Sequence, residues 1–163
     1  MCYRNSSLAL TGGNVEGKPK VDVTTSIIID RPISKVAHFA SDPDNAPRWY
    51  QNIESVKWET RRPLVVGSRF SFIARFLGKR LEYTYEVIEL VPLERMVMRT
   101  SEGPFPMETT YEWERQSANS TLISLRNRGS PSGFSRLPGP MMSRAIKKAT
   151  EKDLATLKSL LEI

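Results

Sequence analysis

The most regular feature of the sequence is a long helical pattern at its C-terminal end, from Pro140 to Ile163. Apolar residues recur there every three or four positions, with charged residues between them. The apolar positions are Met142, Ala145, Ile146, Ala149, Leu154, Leu157, Leu160 and Leu161. The preceding Pro138 and Gly139 end any strand, and a proline suits the first turn of a helix. The pattern therefore predicts an amphipathic helix that lies on a wide apolar partner.

Alternation of apolar and polar residues dominates the middle of the chain and predicts β-strands. Residues 21–29 are rich in Val, Thr and Ile, which favour extended backbone. Six more strands are predicted near residues 53–60, 69–76, 80–87, 95–100, 107–114 and 121–128. Their connections are short, so consecutive strands should pair antiparallel.

Two short helices are predicted between the first and second strands. Pro32 suits the start of the first helix, which extends over about two turns from Ile33. Ser41 or Asp42 is a suitable cap for the second helix, which ends near Tyr50. The element order predicts an α+β domain in which a curved antiparallel sheet of about seven strands wraps around one long helix.

Length and composition predict a single globular domain. A chain of 163 residues with 39% hydrophobic and 26% charged residues has room for one substantial core. Residues 1–20 lack periodicity and are expected to form a flexible arm, so that residues 21–163 form the domain. No apolar run approaches the roughly 20 residues needed to span a bilayer, and no signal-peptide pattern is evident. The expected location is the cytoplasm.

The charged and metal-binding residue types narrow the function classes. Cys2 is the only cysteine and His38 the only histidine, which argues against a disulfide framework and a zinc site. No metal or redox cofactor is expected. The net charge is +6, but basic residues are interspersed with acids, which disfavours nucleic-acid binding. Peripheral contact with an anionic membrane through Lys147, Lys148 and Lys152 stays open, as does the oligomeric state.

The element order and several local motifs resemble the START-like (SRPBCC) superfamily, in particular its polyketide cyclase/dehydrase-like branch. The resemblance covers residues 21–162 and implies a helix-grip fold. The matching features are the junction from Ile27 to Val36, Asp42 with Trp49 before Ile53 and Val56, Val66 to Ser68, Tyr85 to Glu89 before Pro92, and Ser120 with Thr121. The chain departs from the family after Trp49, where Tyr50, Gln51 and Asn52 replace a proline-containing turn.

The resemblance implies a cavity between sheet and helix that holds an apolar or amphipathic small molecule. The expected inward-facing residues are aromatic or methionine on the strands and apolar on the helix. These candidate ligand-binding residues are Trp49, Phe72, Tyr83, Tyr85, Met98, Met107, Tyr111, Trp113, Met142 and Ile146. The alternative is that the same residues form a solid core. Trp49 is expected either to close the mouth of the cavity or to pack between the short helices and the sheet.

No catalytic residue is predicted. The strand glutamates Glu82, Glu108 and Glu112 have outward parity, so no carboxylate is expected inside. This favours a small hydrophobic ligand as the partner, of the lipid, aromatic polyketide or isoprenoid type. Two alternatives stay open. One is a cyclase or dehydratase in which Tyr83, Tyr85 or Tyr111 positions an enol, and the other is a membrane-associated or regulatory protein.

Overall fold

Two layers make up the described part of the chain, a seven-stranded sheet and a long helix against its inner face. The computed structural model describes residues 20–130 and 137–163. The arm expected at residues 1–20, with Cys2, lies outside the described residues apart from Lys20. Within these ranges, no helix is both long enough and apolar enough to cross a bilayer.

All neighbouring strands of the sheet are antiparallel, as the short connections predicted. The strand order is β1-β7-β6-β5-β4-β3-β2, so the first strand pairs with the last and the rest form a meander. The strands are β1 (Val21–Ile29), β2 (Ile53–Trp58), β3 (Arg69–Phe76), β4 (Lys79–Val91), β5 (Arg95–Glu102), β6 (Met107–Ser117) and β7 (Ser120–Gly129). A register shift in β4 between Val87 and Glu89 marks a bulge, and bulges bend a strand and help a sheet curl.

The two faces of the sheet follow the alternation of the sequence. In β6, Met107, Thr109, Tyr111 and Trp113 are all buried. On the outer face, Glu112 accepts a hydrogen bond from Arg95 at 2.9 Å, and the Glu108 carboxylate pairs with Arg99 at 2.9 Å. The outward parity predicted for these glutamates is therefore correct.

Three helices complete the fold, and the first two lie between β1 and β2. Helix α1 spans Ile33–Ser41, a 3₁₀ turn spans Pro43–Asn45, and α2 spans Ala46–Trp49. The side chain of Asp42 caps the 3₁₀ turn by accepting a hydrogen bond from the Asp44 N–H at 3.0 Å. The second predicted helix is thus split into a 3₁₀ turn and a single α-helical turn.

Helix α3 (Gly139–Leu161) crosses the concave face of the sheet. Its C-terminal end is fixed to the end of β1, because the Asp30 N–H donates to Glu162 Oε1 at 2.7 Å and Lys158 Nζ donates to the Ile28 carbonyl at 2.8 Å. In this half of the helix, Leu154, Leu157 and Leu161 are buried in the main core. The helix-grip architecture expected from the sequence is confirmed.

Leucine packing in the second half of α3 should dominate the stability of the fold. Leu157 is fully buried, so Leu157→Ala should lower the free energy of unfolding by about 2–5 kcal/mol through lost burial and the cavity left behind. Met141 lies on the same helix but is 51% exposed, so Met141→Ala should change stability by less than about 0.5 kcal/mol. Urea unfolding of both variants measures this difference, and equal losses would contradict the packing described for α3.

Candidate functional site

A cavity of about 160 Å³ lies between the sheet and the N-terminal two-thirds of α3. In β4 and β6, the residues that line the cavity are followed along the strand by one that belongs to the packed core. In β6, Tyr111 lines the cavity and Trp113 is in the core. In β4, Tyr85 lines the cavity and Val87 is in the core. The innermost end of the cavity is therefore closed by a packed layer, and its lateral walls are the curled strands.

Eight of the ten candidate ligand-binding residues lie on the cavity wall. They are Phe72, Tyr83, Tyr85, Met98, Met107, Tyr111, Met142 and Ile146. Strand parity and helical spacing correctly predicted that these residues share one surface, because each strand contributes every second residue and α3 contributes residues three or four apart. Their role in binding a ligand stays a prediction.

Trp49 and Trp113 do not line the cavity. Trp49 is 1% exposed, and the centroid of its ring lies 3.9 Å from that of the Tyr50 ring. Trp49 is therefore part of the packed core at the end of α2 and does not close the mouth of the cavity. Trp113 stacks on Tyr111 with centroids 5.9 Å apart, on the side away from the cavity. Trp113 does face inward, but it belongs to the packed layer that closes the inner end of the cavity. Parity shows which face a residue occupies and gives no information on where along the strand the cavity ends.

Asp153 is the one charged residue among the described residues that line the cavity, and the sequence analysis missed it. Its side chain lines the cavity, the residue is 4% exposed, and Oδ1 accepts a hydrogen bond from the Gln51 N–H at 2.9 Å. The expectation that no carboxylate points inside was therefore wrong. A signal did exist, since Asp153 stands four residues after Ala149 and seven after Ile146, which is the spacing of the buried stripe.

The protonation of Asp153 is set mainly by its burial. Loss of water around the carboxylate raises its pKa from 3.8 to about 6, and the hydrogen bond from the Gln51 N–H opposes this rise. The carboxyl group is therefore mostly ionised at pH 7.5, yet it takes up a proton under mildly acidic conditions.

A chain of hydrogen bonds crosses the cavity wall from β4 to α3. The hydroxyls of Tyr85 and Thr109 are 3.0 Å apart, and Thr109 Oγ1 donates to Asn127 Oδ1 at 2.9 Å. Asn127 Nδ2 then donates to Thr150 Oγ1 at 3.3 Å, and Thr150 donates to the Ile146 carbonyl at 2.9 Å. This chain satisfies polar groups that a dry apolar wall would leave without partners.

The inner end of the cavity also holds a pair of phenol hydroxyls. The hydroxyls of Tyr50 and Tyr111 are 2.5 Å apart, in a contact that joins the loop after α2 to β6. Burial raises the pKa of Tyr50, Tyr85 and Tyr111 above the usual value of 10. The tyrosines are therefore protonated at neutral pH and act as hydrogen-bond donors and acceptors, not as bases.

The cavity is polar at one end and apolar at the other. Its outer end is formed by Phe76, Leu81 and Phe105 near the β3–β4 and β5–β6 connections, and the exposed Pro104 places this end at the protein surface. Among the described residues that line the cavity, Asp153 is the only one with a charged side chain. Lys147, Lys148 and Lys152 are exposed and do not line the cavity. The arrangement suits a small amphipathic molecule that enters with its polar group first.

The buried carboxyl group should cost stability at neutral pH. The folded state holds the Asp153 proton up to about pH 6, whereas the unfolded chain releases it near pH 3.8, so wild-type stability falls as pH rises through this window. Asp153→Asn removes the charge, and the variant should be more stable than wild type at pH 8 by up to about 3 kcal/mol and equally stable near pH 3.5. Urea unfolding at both pH values measures this, with the exposed Glu151→Gln as control. Equal stability of Asp153→Asn and wild type at both pH values would contradict the raised pKa of the buried Asp153.

Comparison with known proteins places the chain in one family. No curated protein has a significantly similar sequence. Among solved structures, a START superfamily protein from Mycobacterium smegmatis superposes with a TM-score of 0.77 at 15% identity, covering 86% of this chain and 97% of that one. The Zhui aromatase/cyclase from a Streptomyces strain gives 0.70 at 15% identity, covering 86% and 93%.

The fold extends to a plant protein as well. The ginseng major latex-like protein 151 from Panax ginseng gives a TM-score of 0.67 at 11% identity, covering 86% of this chain and 96% of that one. Identities this low establish the shared fold alone. The sequence itself matches one family model over residues 20–162. The chain belongs to the polyketide cyclase / dehydrase and lipid transport family.

Proposed function

We propose that the protein binds a small hydrophobic or amphipathic ligand in the cavity between the sheet and α3. The observation that carries this proposal is a cavity whose outer end is apolar and whose inner end collects hydroxyl, amide and carboxyl groups. These polar groups line open space between the sheet and α3, where a ligand's polar group can bond to them while its apolar part lies against the outer end. The family, which includes lipid transport proteins, supports the same conclusion.

The size of the cavity narrows the ligand class. A volume of about 160 Å³ is below the roughly 300–1,000 Å³ typical of sites for drug-sized molecules. Among ligands of the lipid, aromatic polyketide or isoprenoid type, a one-ring aromatic compound or a short isoprenoid fits this space as it stands. A longer chain requires the outer end to widen, where Phe105 packs against the hydrophobic cluster that includes Met142.

Filling the cavity should abolish ligand binding without unfolding the protein. Ala149 lines the cavity, so the ring of Ala149→Phe should occupy the space that a ligand needs. Ala155 is exposed on the same helix, and Ala155→Phe is the matched control. In NMR titrations with 2-phenylethanol, wild type and Ala155→Phe should show saturable shifts of the Met98 and Met107 methyl groups, and Ala149→Phe should not. Binding by Ala149→Phe as strong as that by wild type would place the ligand elsewhere.

An enzymatic role is the second candidate, and Asp153 is the observation that favours it. A general base works best when its pKa is near the operating pH, and burial raises the pKa of Asp153 to about 6. The carboxylate would remove a proton from a carbon next to a ligand carbonyl, while a hydroxyl of the Tyr50–Tyr111 pair donates a hydrogen bond to the carbonyl oxygen. The proton passes to the carboxylate and leaves an enolate that this hydrogen bond stabilises, and the enolate precedes cyclisation or dehydration. A solved structure with the same fold is described as an aromatase/cyclase.

Proton exchange distinguishes this enzyme from a passive carrier. If Asp153 acts as a base, the protein should accelerate deuterium exchange at the methyl group of acetophenone in D₂O, and Asp153→Asn should lower the rate by about 100-fold or more. The variant Glu151→Gln should leave the rate unchanged. Exchange followed by NMR gives the result, and equal rates for wild type and Asp153→Asn would remove the catalytic role while leaving ligand binding intact.

A further inference from the structure

Asp153 is a buried carboxylate without a cationic partner in the described part of the chain. It is 4% exposed, and within the described residues it accepts a single hydrogen bond, from the neutral Gln51 N–H. None of the ion pairs among residues 20–130 and 137–163 includes it. Buried carboxylates in proteins are usually paired with a cation, so the carboxylate of Asp153 is suited to pair with a positively charged group of a ligand.

Several tyrosine side chains line the same cavity as this carboxylate. Burial is the main cause of the raised pKa of Tyr50 and Tyr83, and the negative charge of Asp153 adds to the rise for both. The rings of Tyr83 and Tyr85 meet edge to face, with centroids 5.5 Å apart at 88°. Tyrosine ring faces attract cations within about 6 Å. A carboxylate beside several tyrosine rings is an environment suited to an ammonium group.

Charge complementarity favours a cationic ligand over an anionic or a neutral one. No lysine, arginine or histidine is among the described residues that line the cavity, so an anionic ligand would be repelled by Asp153 without compensation. A neutral ligand would leave the carboxylate unpaired. A cation would form a buried ion pair with Asp153. Because Asp153 is already buried in the free protein, its own desolvation cost arises during folding, and binding adds only the cost of desolvating the ligand's charged group.

We infer that the cavity selects a ligand that carries a protonated amine on a small aromatic or alicyclic body, with Asp153 as the counter-ion and the tyrosine rings around the ammonium group. This inference rests on the proposed binding function and specifies its ligand class. The apolar body would lie toward Phe76 and Phe105 at the outer end, since the charged group must reach the inner end.

Three probes of matched size and different charge test the inference. Calorimetric titration at pH 7.5 would compare 2-phenylethylamine, 2-phenylethanol and phenylacetate with wild type, Asp153→Asn and Glu151→Gln. The last variant removes an exposed carboxylate from the same helix and so matches the change in net charge. Wild type and Glu151→Gln should bind the amine about tenfold or more tightly than the alcohol, and the anion weakest. Asp153→Asn should bind the amine no more tightly than the alcohol.

Acidification gives an independent readout. The titratable groups whose pKa responds to the charge of Asp153 are the hydroxyls of Tyr50, Tyr83 and Tyr111, which stay protonated. The hydrogen-bond partner of Asp153, the Gln51 N–H, does not titrate. Between pH 7.5 and pH 5, the carboxyl group of Asp153 takes up a proton, so amine affinity should fall while alcohol affinity stays constant.

The outcomes separate the ligand class from the binding function. If wild type binds the alcohol as tightly as the amine, or if Asp153→Asn keeps the preference for the amine, the amine inference is overturned and the binding cavity stands. If none of the three probes shows saturable binding, the proposed binding function fails, and the ligand class fails with it.

Discussion

The packing of one helix against a curled sheet is the constraint on which the rest of the structure depends. In the second half of α3, Leu154, Leu157 and Leu161 fill the concave face. In the N-terminal two-thirds, the same stripe carries Ala149, Thr150 and Asp153, whose side chains are too short or too polar to fill it. Because the strands hold their curvature along the whole sheet, the unfilled space becomes a cavity with a packed floor.

The same constraint links stability to function. An apolar residue in place of Asp153 would remove the desolvation of a carboxylate and allow tighter packing. The fold instead retains a carboxyl group whose pKa burial raises to about 6, next to tyrosine hydroxyls that bond to one another and to threonine. Strained or costly groups inside a well-packed domain commonly mark its functional site.

Much of the architecture was predictable from the sequence, because alternation in strands such as β6 and the stripe of α3 report directly which face is buried. Six cavity residues followed from strand parity, and Met142 and Ile146 followed from the stripe of α3. The depth of the cavity could not be predicted from strand parity. Whether Trp113 borders open space or packed core depends on which side chains of α1 and α3 lie opposite it. Asp153 was missed because a carboxylate on an apolar stripe is usually assigned to the exposed face. Its burial depends on the Gln51 N–H, a contact 102 residues distant in sequence.

A crystal structure of the protein under xenon pressure tests the central claim most directly, since xenon enters preformed apolar cavities. The account predicts xenon density beside Ile146, between α3 and the ring of Phe72, with the carboxyl group of Asp153 at the inner end of the same cavity. A structure in which the side chains of Met98, Met142 and Ile146 meet one another, with no xenon between the sheet and α3, would contradict it.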